Sequence, residues 1–97
     1  MLKHVVLFKF KPGLSESDLE NLEKSLAALP STIPDILGYE FGRNVVRSER
    51  SYDFALVSNF ADLEAMQRYQ KHPDHLVVLN KVTHLCERVL AVDFVQE

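Results

Sequence analysis

A phenol and two imidazoles fall within the single segment Tyr69-Gln70-Lys71-His72-Pro73-Asp74-His75, and a further imidazole, His4, stands on an otherwise apolar run near the N-terminus. Imidazole titrates near neutral pH and takes or gives a proton with equal ease, whereas a phenol stays protonated there and donates a strong hydrogen bond. Tyr69 and His75 beside an apolar cavity are therefore equipped to act as a polarising donor and a general base. His4 shares the alternation of Val6 and Phe8, which points its ring into an apolar layer where it needs a hydrogen-bond partner.

Each of these residues also has a plainer reading. His72, next to Pro73, reads as a helix-terminal residue interacting with the last carbonyls or the helix dipole. His75 can equally pack a helix against a loop, and Tyr69, in register with Leu63 and Met66, can be a core residue whose hydroxyl is satisfied internally. His84 falls in an expected loop, exposed to solvent. A metal site would use His72 and His75 with Asp74 or His4, but Pro73 breaks the helix that would align two such imidazoles, so no metal is expected. Arg43, Arg47 and Arg50 read as a solvated charged edge, and Cys86 as a small buried apolar group.

The elements that must position these side chains follow from the hydrophobic pattern. Residues 4 to 10 form a first strand, ended by the turn signal Lys11-Pro12-Gly13. Ser15 with Asp18 three residues on resembles a reciprocal helix cap, after which Leu19, Leu22, Leu26 and Leu29 share one stripe of a helix that runs to Pro30. Alternation predicts a second strand over 36–46, joined through Arg47-Ser48-Glu49-Arg50-Ser51 to a third over 52–60. Asp62 caps a second helix with Leu63, Met66 and Tyr69 on one side, a short third helix restarts at Pro73, and residues 87–95 make a fourth strand.

The order β-α-β-β-α-β predicts an α+β, ferredoxin-like split unit: a four-stranded antiparallel sheet with its helices on one face. Those helices cover only that face, yet the first strand is apolar on both sides (Val5 and Leu7 against Val6, Phe8 and Phe10), and strands three and four are two-faced as well. A second copy of the chain is expected to cover the other face, unless Lys3, Lys9, Asp53 and Asn59 wet it enough for a monomer.

Composition narrows the function classes. The chain has 97 residues, 46% of them hydrophobic and 26% charged, which suits one domain spanning residues 1–97. A formal net charge of −3 has the wrong sign for a broad nucleic-acid or anionic-lipid surface. One cysteine, no glycosylation triplet and lysines within the N-terminal apolar run lead to the expectation of a reducing, cytoplasmic setting. No stretch approaches the roughly 20 apolar residues of a membrane helix, and no phosphate loop, zinc-type cysteine pairs or nucleophile elbow occurs.

Taken in order, Lys3-His4-Val5-Val6, Phe8-Lys9-Phe10-Lys11, Gly42-Arg43-Asn44, Tyr52-Asp53, Tyr69 with His72-Pro73-Asp74-His75, and Asp93 resemble the stress-responsive dimeric α/β-barrel (Dabb) family across almost the whole chain. The resemblance implies two sheets paired about a two-fold axis. Family members include plant polyketide cyclases, in which a tyrosine and the second histidine of a His-Pro-x-His segment promote an intramolecular aldol condensation without metal or organic cofactor. By resemblance those roles fall on Tyr69 and His75, with His4 as a further pocket histidine and Leu22, Leu26, Phe54 and Leu56 around the substrate. The chain departs from the cyclases at Phe54, where they carry a histidine, and at Leu26, where they carry a tyrosine. The resemblance thus implies a drier pocket, suited to a small apolar carbonyl compound; the other expectation is a non-catalytic stress-response or ligand-binding module.

Overall fold

The computed structural model describes residues 1–97. The chain runs β1 (Leu2–Phe10), α1 (Glu16–Thr32), β2 (Gly38–Arg43), β3 (Phe54–Phe60), α2 (Leu63–Lys71), α3 (Pro73–Leu85) and β4 (Cys86–Val95). The strands form one antiparallel sheet in the order β2-β3-β1-β4, so the first strand lies inside the sheet and the last lies at one edge. This is the ferredoxin-like α+β arrangement expected from the element order.

Residues directly opposite one another in an antiparallel pair share a face, so the register assigns every strand residue to one side. On the helix side, Phe41, Leu56, Val6 and Ala91 form one row across the four strands, and Arg43, Phe54, Phe8 and Val89 form the next. Against these rows pack Leu22, Leu26 and Leu29 of α1, Ala65, Met66 and Tyr69 of α2, and Val78 and Val82 of α3. The opposite side carries Val5, Leu7, Ala55, Val57, Leu90, Val92 and Phe94, and no element of the chain covers it.

Local signals account for the helix ends. Ser15 Oγ accepts from the Asp18 amide at 3.1 Å and the Asp18 carboxylate accepts from the Ser15 amide at 3.0 Å, the reciprocal cap expected from their spacing. Asp62 caps α2 by accepting from the Ala65 amide at 2.9 Å. Gly13 takes a φ of 85°, the left-handed conformation that turns the chain out of β1.

Several expectations need correction. Helix α1 passes through Pro30 to Thr32, because a proline in the last turn removes only one amide donor while Ile33, its N–H on the Leu29 carbonyl, closes the helix. β2 and β3 are shorter than their alternation suggests: the ladder ends at Arg43 opposite Phe54, leaving Val45 and Val46 exposed in the connection. Leu63 is exposed, and Ala65 takes its expected place in the core. The third helix is longer than α2, at 13 residues against nine, and His84 lies in its last turn, not in a loop. Arg43 does not simply wet an edge. Its guanidinium reaches Glu16 and, through Nη2 at 2.8 Å, Glu23, fastening the end of β2 to α1.

Candidate active site

Apart from Arg43 at the end of β2, the polar residues on the helix side of the sheet that face the middle of the chain's core fall in one row. Tyr39 of β2 stands opposite Ser58 of β3, Ser58 opposite His4 of β1, and His4 opposite Asp93 of β4. Four polar residues thus cross all four strands at one level. Each has a partner: Asp93 pairs with Nδ1 of His4, Ser58 Oγ donates to the His4 carbonyl at 3.4 Å, and the Tyr39 and Tyr69 hydroxyls lie 3.0 Å apart. No buried side-chain nitrogen or oxygen in the molecule lacks a hydrogen-bond partner.

Above this row, α2 and α3 bring down the other half of the site. His72 cannot continue α2, because the residue before a proline is pushed to extended geometry, here φ −63° and ψ 136°. Its ring instead caps α3, Nδ1 accepting from the Asp74 amide at 3.1 Å. The reading of His72 as a helix-terminal residue on the last carbonyls is correct, its backbone N–H donating to the Tyr69 carbonyl at 3.1 Å at the end of α2, while its ring serves the start of α3. The break lets α3 leave in a new direction, and His75 on its first turn packs against Tyr69 from the end of α2, ring centres 4.3 Å apart. The Tyr69 ring also meets His4 at 6.3 Å and Phe60 at 5.0 Å.

A cavity of about 250 Å³ opens between sheet and helices. Its floor includes His4, Val6, Leu56 and Ala91; its roof includes Tyr69, His75, Val78 and Val82; Leu26 of α1 closes one side. Of the expected site residues, His4, Tyr69, His75, Leu26 and Leu56 meet here. Leu22 and Phe54 do not: Leu22 is fully buried in the packed core, and the Phe54 ring is stacked between Phe8 at 5.4 Å and Phe41 at 5.9 Å. Of the two departures from the cyclases, only Leu26 therefore faces the cavity.

The electrostatics assign distinct roles. His75 Nδ1 lies 3.1 Å from the Gln70 carbonyl, which only accepts, so Nδ1 carries the hydrogen and Nε2 is the lone-pair nitrogen of the neutral ring. Burial lowers its pKa below the ordinary 6.5. Burial raises Tyr69 above the ordinary 10.0 and Tyr39 higher still, so both remain protonated donors at neutral pH. No lysine or arginine lines the cavity, which leaves an anionic ligand without a counter-charge. No three His, Cys, Asp or Glu side chains gather around a common centre. Cys86 is buried, its thiol pushed up to about 11 by desolvation, which leaves it unionised and unreactive.

Three members of this row are not singled out for chemistry by the sequence: Tyr39, Ser58, and Asp93 as the partner of His4. Their signal is parity, since each is a polar residue at an inward position of its strand, but the alignment of those positions appears only once the register is known.

Comparison with known proteins agrees with the fold. The sequence profile of the stress responsive A/B barrel domain, Dabb, matches residues 2–96. A stress-response A/B barrel domain-containing protein of Arabidopsis thaliana is 30% identical over 95 residues, covering 96% of this chain and 87% of that protein. Olivetolic acid cyclase of Cannabis sativa is 26% identical over 95 residues, covering 96% and 94% respectively. The crystal structure of a dimeric ferredoxin-like protein of unknown function from Thermobifida fusca superposes with a TM-score of 0.89 at 28% identity, covering 98% of this chain and 90% of that one. With a profile match across nearly its whole length and this fold, the chain belongs to the stress-responsive A/B barrel (Dabb) family.

Proposed function

We propose that this protein is a homodimeric acid–base catalyst that converts a small, largely apolar carbonyl compound without metal or organic cofactor. The observation that carries this reading is the pairing of His75, its Nδ1 hydrogen committed to the Gln70 carbonyl and its Nε2 carrying a lone pair, with the protonated Tyr69 phenol on the wall of one apolar cavity. An apolar cavity of roughly 150 Å³ holds a benzene. A cavity of about 250 Å³ therefore has room for a ring bearing a carbonyl group.

The chemistry is proton abstraction next to a carbonyl. His75 Nε2 takes a proton from the carbon beside the carbonyl, the C–H electron pair becomes the enolate π bond, and negative charge collects on oxygen, where a Tyr69 hydrogen bond stabilises it. The enolate carbon then attacks a second carbonyl of the same molecule, as in a cyclisation, whose π electrons move to oxygen and take the proton from the His75 imidazolium, or the enolate carbon takes that proton back itself. The kinship with a protein named as a cyclase supports this reaction class. His4, held by Asp93, supplies a second imidazole on the cavity floor.

Dimer formation is supported by the uncovered sheet face, where Leu90, Val92 and Phe94 are exposed at 48%, 63% and 46%, and by the dimeric character of the Thermobifida fusca neighbour. No helix of the chain is long and apolar enough to cross a membrane.

The reaction class can be tested before the natural substrate is found. Acetophenone, a neutral aryl methyl ketone, incubated with the protein in deuterium oxide should exchange its methyl hydrogens faster than in buffer, as followed by proton NMR. His75→Gln and Tyr69→Phe should each remove the enhancement. Exchange by His75→Gln equal to that of wild type would overturn the assigned base, and a melting-temperature rise with acetophenone but no exchange in any variant would make the cavity a binding site without catalysis.

A further inference from the structure

Resting on the reading of Tyr69 as the cavity's donor, we infer that Tyr39 is a positioning residue: it donates its hydroxyl hydrogen to the Tyr69 oxygen and so turns the Tyr69 hydrogen into the cavity, onto the ligand's carbonyl. A phenol has one hydrogen, and the Tyr69 oxygen has a single protein hydrogen-bond partner, the Tyr39 oxygen at 3.0 Å. If Tyr69 gives its hydrogen to Tyr39, none remains for the cavity. If Tyr39 gives instead, Tyr69 is both acceptor and donor, and the two bonds form a chain running Tyr39 to Tyr69 to carbonyl. Such chains polarise one another, so each bond is stronger than it would be alone.

The geometry favours Tyr39 for this task. It stands on the inward side of β2 in the polar row that ends at Asp93, four strands across, and does not itself line the cavity. Its ring is fixed edge-on between Phe41, 6.4 Å away, and Tyr69, 6.3 Å away. Its hydroxyl is thereby aimed at one oxygen only, from behind. Burial keeps both phenols protonated, so the hydrogen is always there to give. One oxygen separates Tyr39 from the ligand, so its effect should appear as selectivity for an acceptor and not as affinity in general.

The experiment measures dissociation constants for acetophenone and for ethylbenzene, which has the same shape but no carbonyl, in wild type, Tyr39→Phe and Tyr69→Phe. Tyr39→Phe keeps the ring and its packing. It should weaken acetophenone roughly two- to tenfold, the range for one orienting hydrogen bond, and leave ethylbenzene unchanged. Tyr69→Phe should remove the preference for the ketone altogether. A merely structural role for Tyr39 would weaken both compounds alike and would overturn the inference. Tighter ketone binding by Tyr39→Phe would overturn it too, since Tyr69 would then have been spending its hydrogen on Tyr39. If Tyr69→Phe abolishes the preference and Tyr39→Phe leaves it at the wild-type value, the assignment to Tyr39 fails while the proposed function stands. If the wild type binds neither compound, both fail. Neutron diffraction from an acetophenone-soaked crystal gives the direct view: deuterium on Tyr39 lying between the two oxygens supports the inference, and deuterium on Tyr69 there contradicts it.

Discussion

The two faces of the sheet are built from the same strands and nearly the same residue types, yet they differ in what they hold. The helix side is apolar row by row except at Arg43, tied to α1, and at Tyr39, Ser58, His4 and Asp93, each of which has a hydrogen-bond partner. The open side has Val5, Leu7, Val57, Leu90, Val92 and Phe94 at its centre, with a Lys3 Nζ to Asn59 Oδ1 bond of 3.1 Å at its rim. Acid–base chemistry needs fixed polar groups in a shielded, low-dielectric space, where an unpartnered one would be costly. Adhesion to another protein surface needs only apolar area. Under the proposed function, the difference gives catalysis to one face and assembly to the other.

The largest effect should separate the faces by activity. His75→Gln should lower acetophenone exchange by about 10²- to 10⁴-fold, the usual range for a lost general base, with subunit mass unchanged in sedimentation. On the opposite face, Val92→Asp should leave the subunit folded but split the dimer, the sedimenting mass falling to that of an 11.1 kDa monomer at low micromolar concentration. A folded 11.1 kDa wild type under the same conditions would remove assembly from the open face. Leu22→Ala, which hollows out the helix-side core, should cost roughly 2–5 kcal/mol by denaturant melts without altering the stoichiometry.

The smaller effects sharpen the contrast within one segment. His72→Ala removes the cap of α3 and should cost roughly 0.5–2 kcal/mol while leaving exchange nearly intact, whereas its neighbour His75 should show the reverse balance. Stability should also fall mildly on acidification. The folded state holds His75 below its ordinary 6.5, so the unfolded chain binds that proton first, and the stability loss begins as pH drops through 6.5 and levels off below the folded value. His75→Gln should remove that part of the pH dependence.

Much of this arrangement can be read from the sequence because it is encoded locally. The Ser15–Asp18 cap, the Asp62 cap, the break at His72-Pro73 and the parity that turns His4 inward each depend on residues a few positions apart. What resists sequence reading depends on distant pairs. Asp93 meets His4 across 89 positions, and Tyr39 meets Tyr69 across 30, so neither partner is visible until strand register and helix placement are known. Arg43 looks like an edge charge until α1 brings Glu16 and Glu23 to it. Phe54 is a pocket residue by analogy but a core residue by packing, because Phe8 and Phe41 occupy both sides of its ring.

The central claim is that a neutral His75 base and a protonated Tyr69 donor work together in one cavity, and the pH profile of acetophenone exchange tests it most directly. The rate should rise through a single pKa below 6.5 as His75 loses its proton, then hold level until the Tyr69 phenol ionises above 10.0. The acidic limb should vanish in His75→Gln. A profile that climbs in proportion to hydroxide across the whole range, the same with and without His75, would contradict the account.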